Sequence, residues 1–219
     1  MHKGKSFNQV QGVRGNRYSG SKLTNWTDFD PTGSAIEKVW EQHYKQFENN
    51  EGEIYYCTQP THQSFIMPLT AEGIKDIFSK IPKQFLKGLK AIFLLSGANK
   101  QKKVFFSKLF CYGTYWNSCI FIHPYPKSNM HLHWNKPPKP SVLNDYRRVG
   151  ALIEKSDKEG IDLRWTEESL RAFYYRDVLI HELGHHIDNN INSKNNKKIE
   201  NFAEWFATKY GFKFKYYRD

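Results

Sequence analysis

The chain contains no run of about 18 apolar residues, the length a membrane-spanning helix needs, so neither a span nor a membrane partner is expected. It holds only three cysteines, Cys57, Cys111 and Cys119, and no C-x-x-C pair. An odd, sparse set argues against a disulfide framework and for a reducing compartment, with all three in the core. Acidic residues are scarce: 22 against 33 lysines and arginines, a formal charge of +11. The first acid is Asp28, after Lys3, Lys5, Arg14, Arg17 and Lys22. That balance favours contact with polyanions or acidic surfaces but does not establish nucleic-acid binding. The basic N-terminus has no apolar segment behind it. No secretory signal is therefore expected, and the expected location is cytoplasmic; release or injection without a signal peptide stays open. No internal repeat is visible.

Aromatic residues, by contrast, are plentiful. They make up 16% of the chain within a hydrophobic share of 39%, enough for a core despite a mean hydropathy of −0.73. At 219 residues, one domain with a smaller attachment is expected. Residues 1–34, rich in Gly, Ser, Asn and Gln, read as a flexible basic arm, and residues 35–219 as the folded domain.

Within that domain the apolar spacing of Ile36, Val39, Trp40, Tyr44 and Phe47 predicts a helix over 34–49. A strand is expected at Glu53–Cys57. One or two short helices are expected over Leu69–Leu86, with Ile74, Ile77, Phe78 and Ile81 on one face and a break at Pro82. Gly88–Leu95 reads as a strand, and Val104–Phe110 with Cys111–His123 as a meander. Five prolines mark an irregular segment over 124–141, and a helix is expected over 142–155. Thr166 is a suitable N-cap, followed by Glu167 and Glu168, for a helix over 167–189. A polar loop then leads to a last helix over Lys197–Tyr210, stopped by Gly211.

The long helix carries His181-Glu182-Leu183-Gly184-His185. Histidines four apart project from one helical face, where a single Zn²⁺ can bind both at about 2.0–2.1 Å. Glu182 beside them can act as general base toward a metal-activated water. A third ligand is needed. The long variant, with Gly at +7 and His or Asp at +10 from the first histidine, is excluded by Asp188 and Ile191. Asp188 lies too near His185 in phase and is read as structural. The following helix offers Glu200-Asn201-Phe202-Ala203-Glu204-Trp205-Phe206-Ala207, two glutamates four apart among apolar and small residues. Reversal through a short loop brings Glu200 level with His185, so Glu200 is assigned as third ligand. Glu204, one turn on, then accepts a hydrogen bond from the other ring nitrogen of a ligand histidine. The reversed assignment, with Glu204 as ligand, stays open.

H-E-L-G-H-x-x-D followed by E-x-F-A-E-x-F-A resembles the gluzincin metallopeptidases. The likeness is to the group of the anthrax lethal factor catalytic domain and the Pro-Pro endopeptidases, with some likeness to ImmA-type metallopeptidases. It covers about 180–208, with a weaker part reaching back to about 81. It implies an α+β, zincin-like fold, with a mixed twisted sheet packed on the active helix and a C-terminal helix bringing the third ligand. It implies a zinc-dependent endopeptidase acting on a peptide or protein, with His181, His185 and Glu200 on zinc and Glu182 as base. The chain departs in its His185-to-Glu200 gap of 15, shorter than in the lethal-factor group, and in Ser193, where that group has a tyrosine that steadies the oxyanion. Tyr210, His186, Tyr115 and Tyr146 are the substitutes considered.

Gly184 is read as a place where substrate or a strand approaches the helix. Tyr112–Trp116 is, by family expectation, an edge strand for an extended substrate, with an ordinary buried sheet strand as the alternative. His131 and His133 read as a solvated loop, with a second metal as the alternative. The basic arm and the aromatic, basic C-terminus (Phe212 to Arg218) offer contact with nucleic acid. Two other functions stay open: a DNA-associated, repressor-cleaving protease, and a non-catalytic zinc-binding or structural protein of a phage or mobile element. A toxin-like protease acting on a host protein is a further form of the enzymatic reading.

Overall fold

The computed structural model describes residues 33–50, 52–97, 112–157, 159–191 and 196–211. The basic arm before residue 33, the strand expected over Val104–Phe110, Cys111, Ser193 and the basic tail after Gly211 lie outside the described residues.

The architecture is α+β. Its centre is a four-stranded sheet of β1 (Tyr55–Thr58), β3 (Ala91–Leu94), β5 (Cys119–Ile122) and β4 (Gly113–Trp116), in the order β1-β3-β5-β4. β1, β3 and β5 run parallel, and β4 pairs antiparallel with β5. Strands β3, β4 and β5 are buried at every position, which is why AIFL and CIFI read as unbroken apolar runs rather than alternating ones. The two faces nevertheless alternate with period two. Phe93, Cys119 and Phe121 pack with Ile36 and Phe47 of α1 (Gly33–Phe47). Ile92, Leu94, Ile120 and Ile122 pack on the other side, with α2 (Ala71–Ser79) and the C-terminal helices. Asn117 and Ser118, at φ 52° and 62°, make the two-residue turn between β4 and β5. Left-handed backbone at both positions matches the twist of the flanking strands.

Two smaller sheets replace the irregular segment expected over 124–141. β2 (Phe65–Ile66) pairs with β6 (Tyr125–Pro126). β7 (His131–Trp134) opens a three-stranded antiparallel sheet in the order β7-β9-β8, with β8 (Leu152–Lys155) and β9 (Ile161–Arg164). The helix expected over 142–155 is shorter. α3 spans Pro140–Arg148, with proline in its first turn, and Gly150 (φ 87°) ends the turn that leads into β8. Residues 152–155 pair with β9 because that edge offers a hydrogen-bonded ladder, which a local propensity count does not see.

The C-terminal layer starts where Thr166 caps α4 (Glu167–Phe173). Its hydroxyl accepts from Ser169 N, and Ser169 Oγ accepts from Thr166 N at 2.9 Å. The chain continues as a π-helical stretch, Tyr174–Leu179, then as α5 (Ile180–Ile191). α6 spans Asn196–Gly211. All six residues of the π stretch are buried, including Arg176 and Asp177, whose side chains pair at 3.1 Å. No helix among the described residues is long and apolar enough to cross a membrane.

Candidate metal centre

α5 presents His181, Glu182, His185 and His186, all buried. The ring nitrogens His181 Nε2 and His185 Nε2 lie 3.1 Å apart, the consequence of the four-residue spacing on one helical face. α6 supplies Glu200, whose Oε2 is 3.6 Å from His181 Nε2 and whose Oε1 is 3.7 Å from His185 Nε2. Among the described residues these three form the single group whose donor atoms lie within 4.8 Å of one another. Glu204 and Asp188 are not in it. Donors held at 2.0–2.1 Å from one tetrahedral ion stand about 3.4 Å apart, so separations of 3.1 to 3.7 Å fit one such ion with little movement. Burial pushes the His185 imidazole down to about 4, so it is neutral and carries a free lone pair at neutral pH, the state that metal binding needs.

Glu200 reaches the histidines because α5 and α6 approach closely at Gly184. A Cβ on Gly184 would stand 2.7 Å from Ala203 Cα and 3.2 Å from Ala203 Cβ. The small residue expected to admit substrate or a strand instead admits a helix. The side chain of Glu200 keeps 31% of its exposure, so the group is open on the α6 side while the histidines are enclosed.

Glu182 lies against β4. A Cβ on Gly113 would meet Glu182 Cγ at 2.8 Å and Glu182 Oε1 at 3.0 Å, and Val178 Cγ1 at 2.8 Å. Gly113 therefore leaves the space that the carboxylate occupies. Sequence reasoning did not single it out, although a glycine inside a strand is a sign of close approach by another group. β4 is at the sheet's edge among the described strands, as expected, yet all four of its residues are buried.

The substitutes considered for oxyanion stabilisation are engaged in packing. His186 Nε2 lies 3.1 Å from Lys87 O and its Nδ1 3.1 Å from the Tyr115 hydroxyl. The carbonyl can only accept, so Nε2 carries the proton and Nδ1 accepts from Tyr115. Burial lowers the pKa of His186 below its usual value, consistent with that neutral tautomer. This pair ties α5 to β4 and to the segment before β3. Tyr146 sits in an aromatic group with Trp165 and Phe173, at centroid distances of 5.1 and 5.6 Å. Tyr210 packs on Phe206 and Phe85, at 4.5 and 5.4 Å.

His131 and His133 are on a strand, not in a loop. His133 Nδ1 lies 2.8 Å from Asp162 Oδ1 across the β7–β9 pair, and His131 Nε2 lies 3.8 Å from the same oxygen. Asp162 is held below the usual carboxylate range, chiefly by its hydrogen bond with His133. The three do not form a compact donor group. Cys119 is buried as expected; Cys57 is only half-buried, with its Sγ 3.6 Å from His43 Nε2.

Comparison of the chain with family models, with curated proteins and with solved structures gave no match.

Proposed function

We propose that this chain is a zinc-dependent endopeptidase of gluzincin type, with a zincin-like domain built around α5 and α6. The observation that carries this reading is the convergence of His181 Nε2, His185 Nε2 and a Glu200 oxygen at separations of 3.1 to 3.7 Å, with Glu182 following His181 in the same buried helix. His181, His185 and Glu200 would hold the ion. When bound, zinc would supply Lewis acidity, lowering the pKa of water toward ~7 and polarising a substrate carbonyl.

The remaining chemistry belongs to the chain's own groups. Glu182 would accept the proton of the attacking water and pass it to the leaving amine, as a carboxylate in a water-poor setting can. Its placement between α5 and β4, in space left by Gly113, fixes its side chain without a bulky neighbour on that side. The neutral state of His185 keeps its nitrogen available as a ligand. Glu204, on α6 one turn beyond Glu200, keeps its proposed role as hydrogen-bond acceptor for a ligand histidine. Substrate would be a peptide or protein.

The test is metal analysis beside a peptide-library cleavage assay. Wild type and Glu182→Gln should each carry about one zinc, as a site with three protein ligands predicts, with cleavage lost in Glu182→Gln. Glu200→Ala should lose metal affinity. Equal zinc in Glu200→Ala and wild type would remove the ligand assignment. Zinc bound with no peptide cut would favour a zinc-holding, non-catalytic protein instead.

A further inference from the structure

A second concave surface lies between the start of β1 and the segment joining α2 to β3. It is an open groove of about 1270 Å³, larger than the ~300–1,000 Å³ of small-molecule pockets. Lys75, Lys83, Lys87 and Lys90 line it and are all exposed, against a single acid, Glu53, among the described residues. None of the four lysines is in an ion pair among the described residues. Between them the groove is apolar, with Ile54, Phe78, Leu86 and Leu89 in its lining. A basic rim over an apolar floor is complementary to a segment with acidic and apolar faces. A nucleic-acid track would instead present exposed aromatic platforms along a basic path. Here the lining tyrosines, Tyr55 and Tyr56, are both half-buried, with Lys75 Nζ 5.0 Å from the Tyr56 ring centroid.

The occupant comes from outside the chain, on grounds of charge. The stretches beyond the described residues are themselves basic: residues 98–111 hold Lys100, Lys102, Lys103 and Lys108 and no acid, and the first acid of the N-terminal stretch follows five basic residues. Like charges disfavour any of them in this groove. The groove wall is also fixed to the active helix, since Lys87 O accepts from His186 Nε2 at 3.1 Å, one residue from His185. A segment held there is held at a constant offset from the metal centre.

We propose that this groove is an exosite that takes an acidic, amphipathic segment of the protein substrate. The identity of the occupant as substrate rests on the peptidase reading; the groove's preference for such a segment does not. The probe is a short fluorescein-labelled amphipathic Glu/Leu peptide, followed by anisotropy on the full chain carrying Glu182→Gln. Companions are the same peptide with Gln for Glu, a scrambled-order peptide, and a labelled oligothymidylate. The Glu/Leu peptide should bind, with affinity falling as salt rises, and the Gln and scrambled peptides should bind much less. Lys83→Glu/Lys87→Glu should weaken binding about tenfold or more, since it places like charge against the ligand. Lys136→Glu/Lys139→Glu, with the same change in net charge at exposed positions outside the groove, should leave it within about twofold. Equal weakening by both double variants, or tighter binding of the oligothymidylate than of the Glu/Leu peptide, would overturn the proposal. Binding that follows the groove lysines in a protein that carries no zinc would leave the groove standing and remove the peptidase. Zinc and cleavage without Glu/Leu binding would do the reverse.

Discussion

Gly184→Ala is the most searching single change, because it separates the packing of two helices from their intrinsic stability. Alanine favours a helix interior over glycine by about 1 kcal/mol. Its Cβ would stand 2.7 Å from Ala203 Cα and 3.3 Å from Ala203 O, both backbone atoms that cannot rotate away. Carbon atoms in ordinary contact sit about 3.5–4.0 Å apart, so the helices must part by roughly 1 Å. Overpacking of that kind costs about 1–3 kcal/mol. The net loss of stability is then only about 1 kcal/mol, or roughly 2–4 °C in Tm for a domain of this size. The proposed metal centre would suffer far more. Zinc–ligand distances hold to within about 0.2 Å, and Glu200 rides on the helix that moves. Zinc affinity should fall by at least the 10–100-fold seen when even an indirect support of a zinc ligand is lost. Chelator competition and thermal unfolding on the same preparations check both numbers. Gly184→Ala/Ala203→Gly should not restore zinc, because the nearest atom is Ala203 Cα, which glycine keeps. Wild-type zinc affinity in Gly184→Ala would refute the claim that this crossing positions Glu200.

Three further predictions follow from buried groups. Arg176→Met should destabilise by about 3–5 kcal/mol in urea titrations, because it removes a buried cation that lies 3.1 Å from Asp177 and 3.9 Å from Asp145. Arg176→Met/Asp177→Leu should be more stable than that single variant, and the opposite order would show that the pair is not a unit. Tyr115→Phe should cost about 1–2 kcal/mol by depriving His186 Nδ1 of its donor, while zinc content stays at the wild-type level. Burial pushes the Cys119 thiol up to about 12. At pH 8 its thiolate fraction is on the order of one in 10,000, and native-state alkylation mapped by mass spectrometry should mark Cys57 well before Cys119. Equal labelling rates in the native protein would contradict the burial of Cys119.

Much of the central sheet was legible locally. Ala91–Leu94 and Cys119–Ile122 are continuous apolar runs because both faces of the sheet are covered; the turn at Asn117 and Ser118, inside the segment read as one piece over Cys111–His123, was not foreseen. Residues 131–134 and 152–164 were harder. Their strands are short and half-exposed: β8 and β9 pair as a local hairpin, and β7 is held only by β9, which lies beyond α3 and β8 in the chain, so pairing and not intrinsic preference makes the sheet. The π stretch also carries no local mark. It interrupts a segment whose spacing suits an uninterrupted helix, and it buries Arg176 and Asp177 where a surface helix would expose them.

The sequence by itself determined which side chains α5 brings together. Four-residue spacing puts His181 and His185 on one face in any α-helix, and no tertiary contact is needed for that. Which glutamate of α6 joins them depends on the height and distance of a second helix. That is a matter of close packing at Gly184 and Ala203, and only the tertiary structure brought Glu200 rather than Glu204 within 4 Å of both histidines. The space for Glu182 is likewise tertiary, since Gly113 lies some seventy residues away along the chain and meets it only when β4 packs on α5.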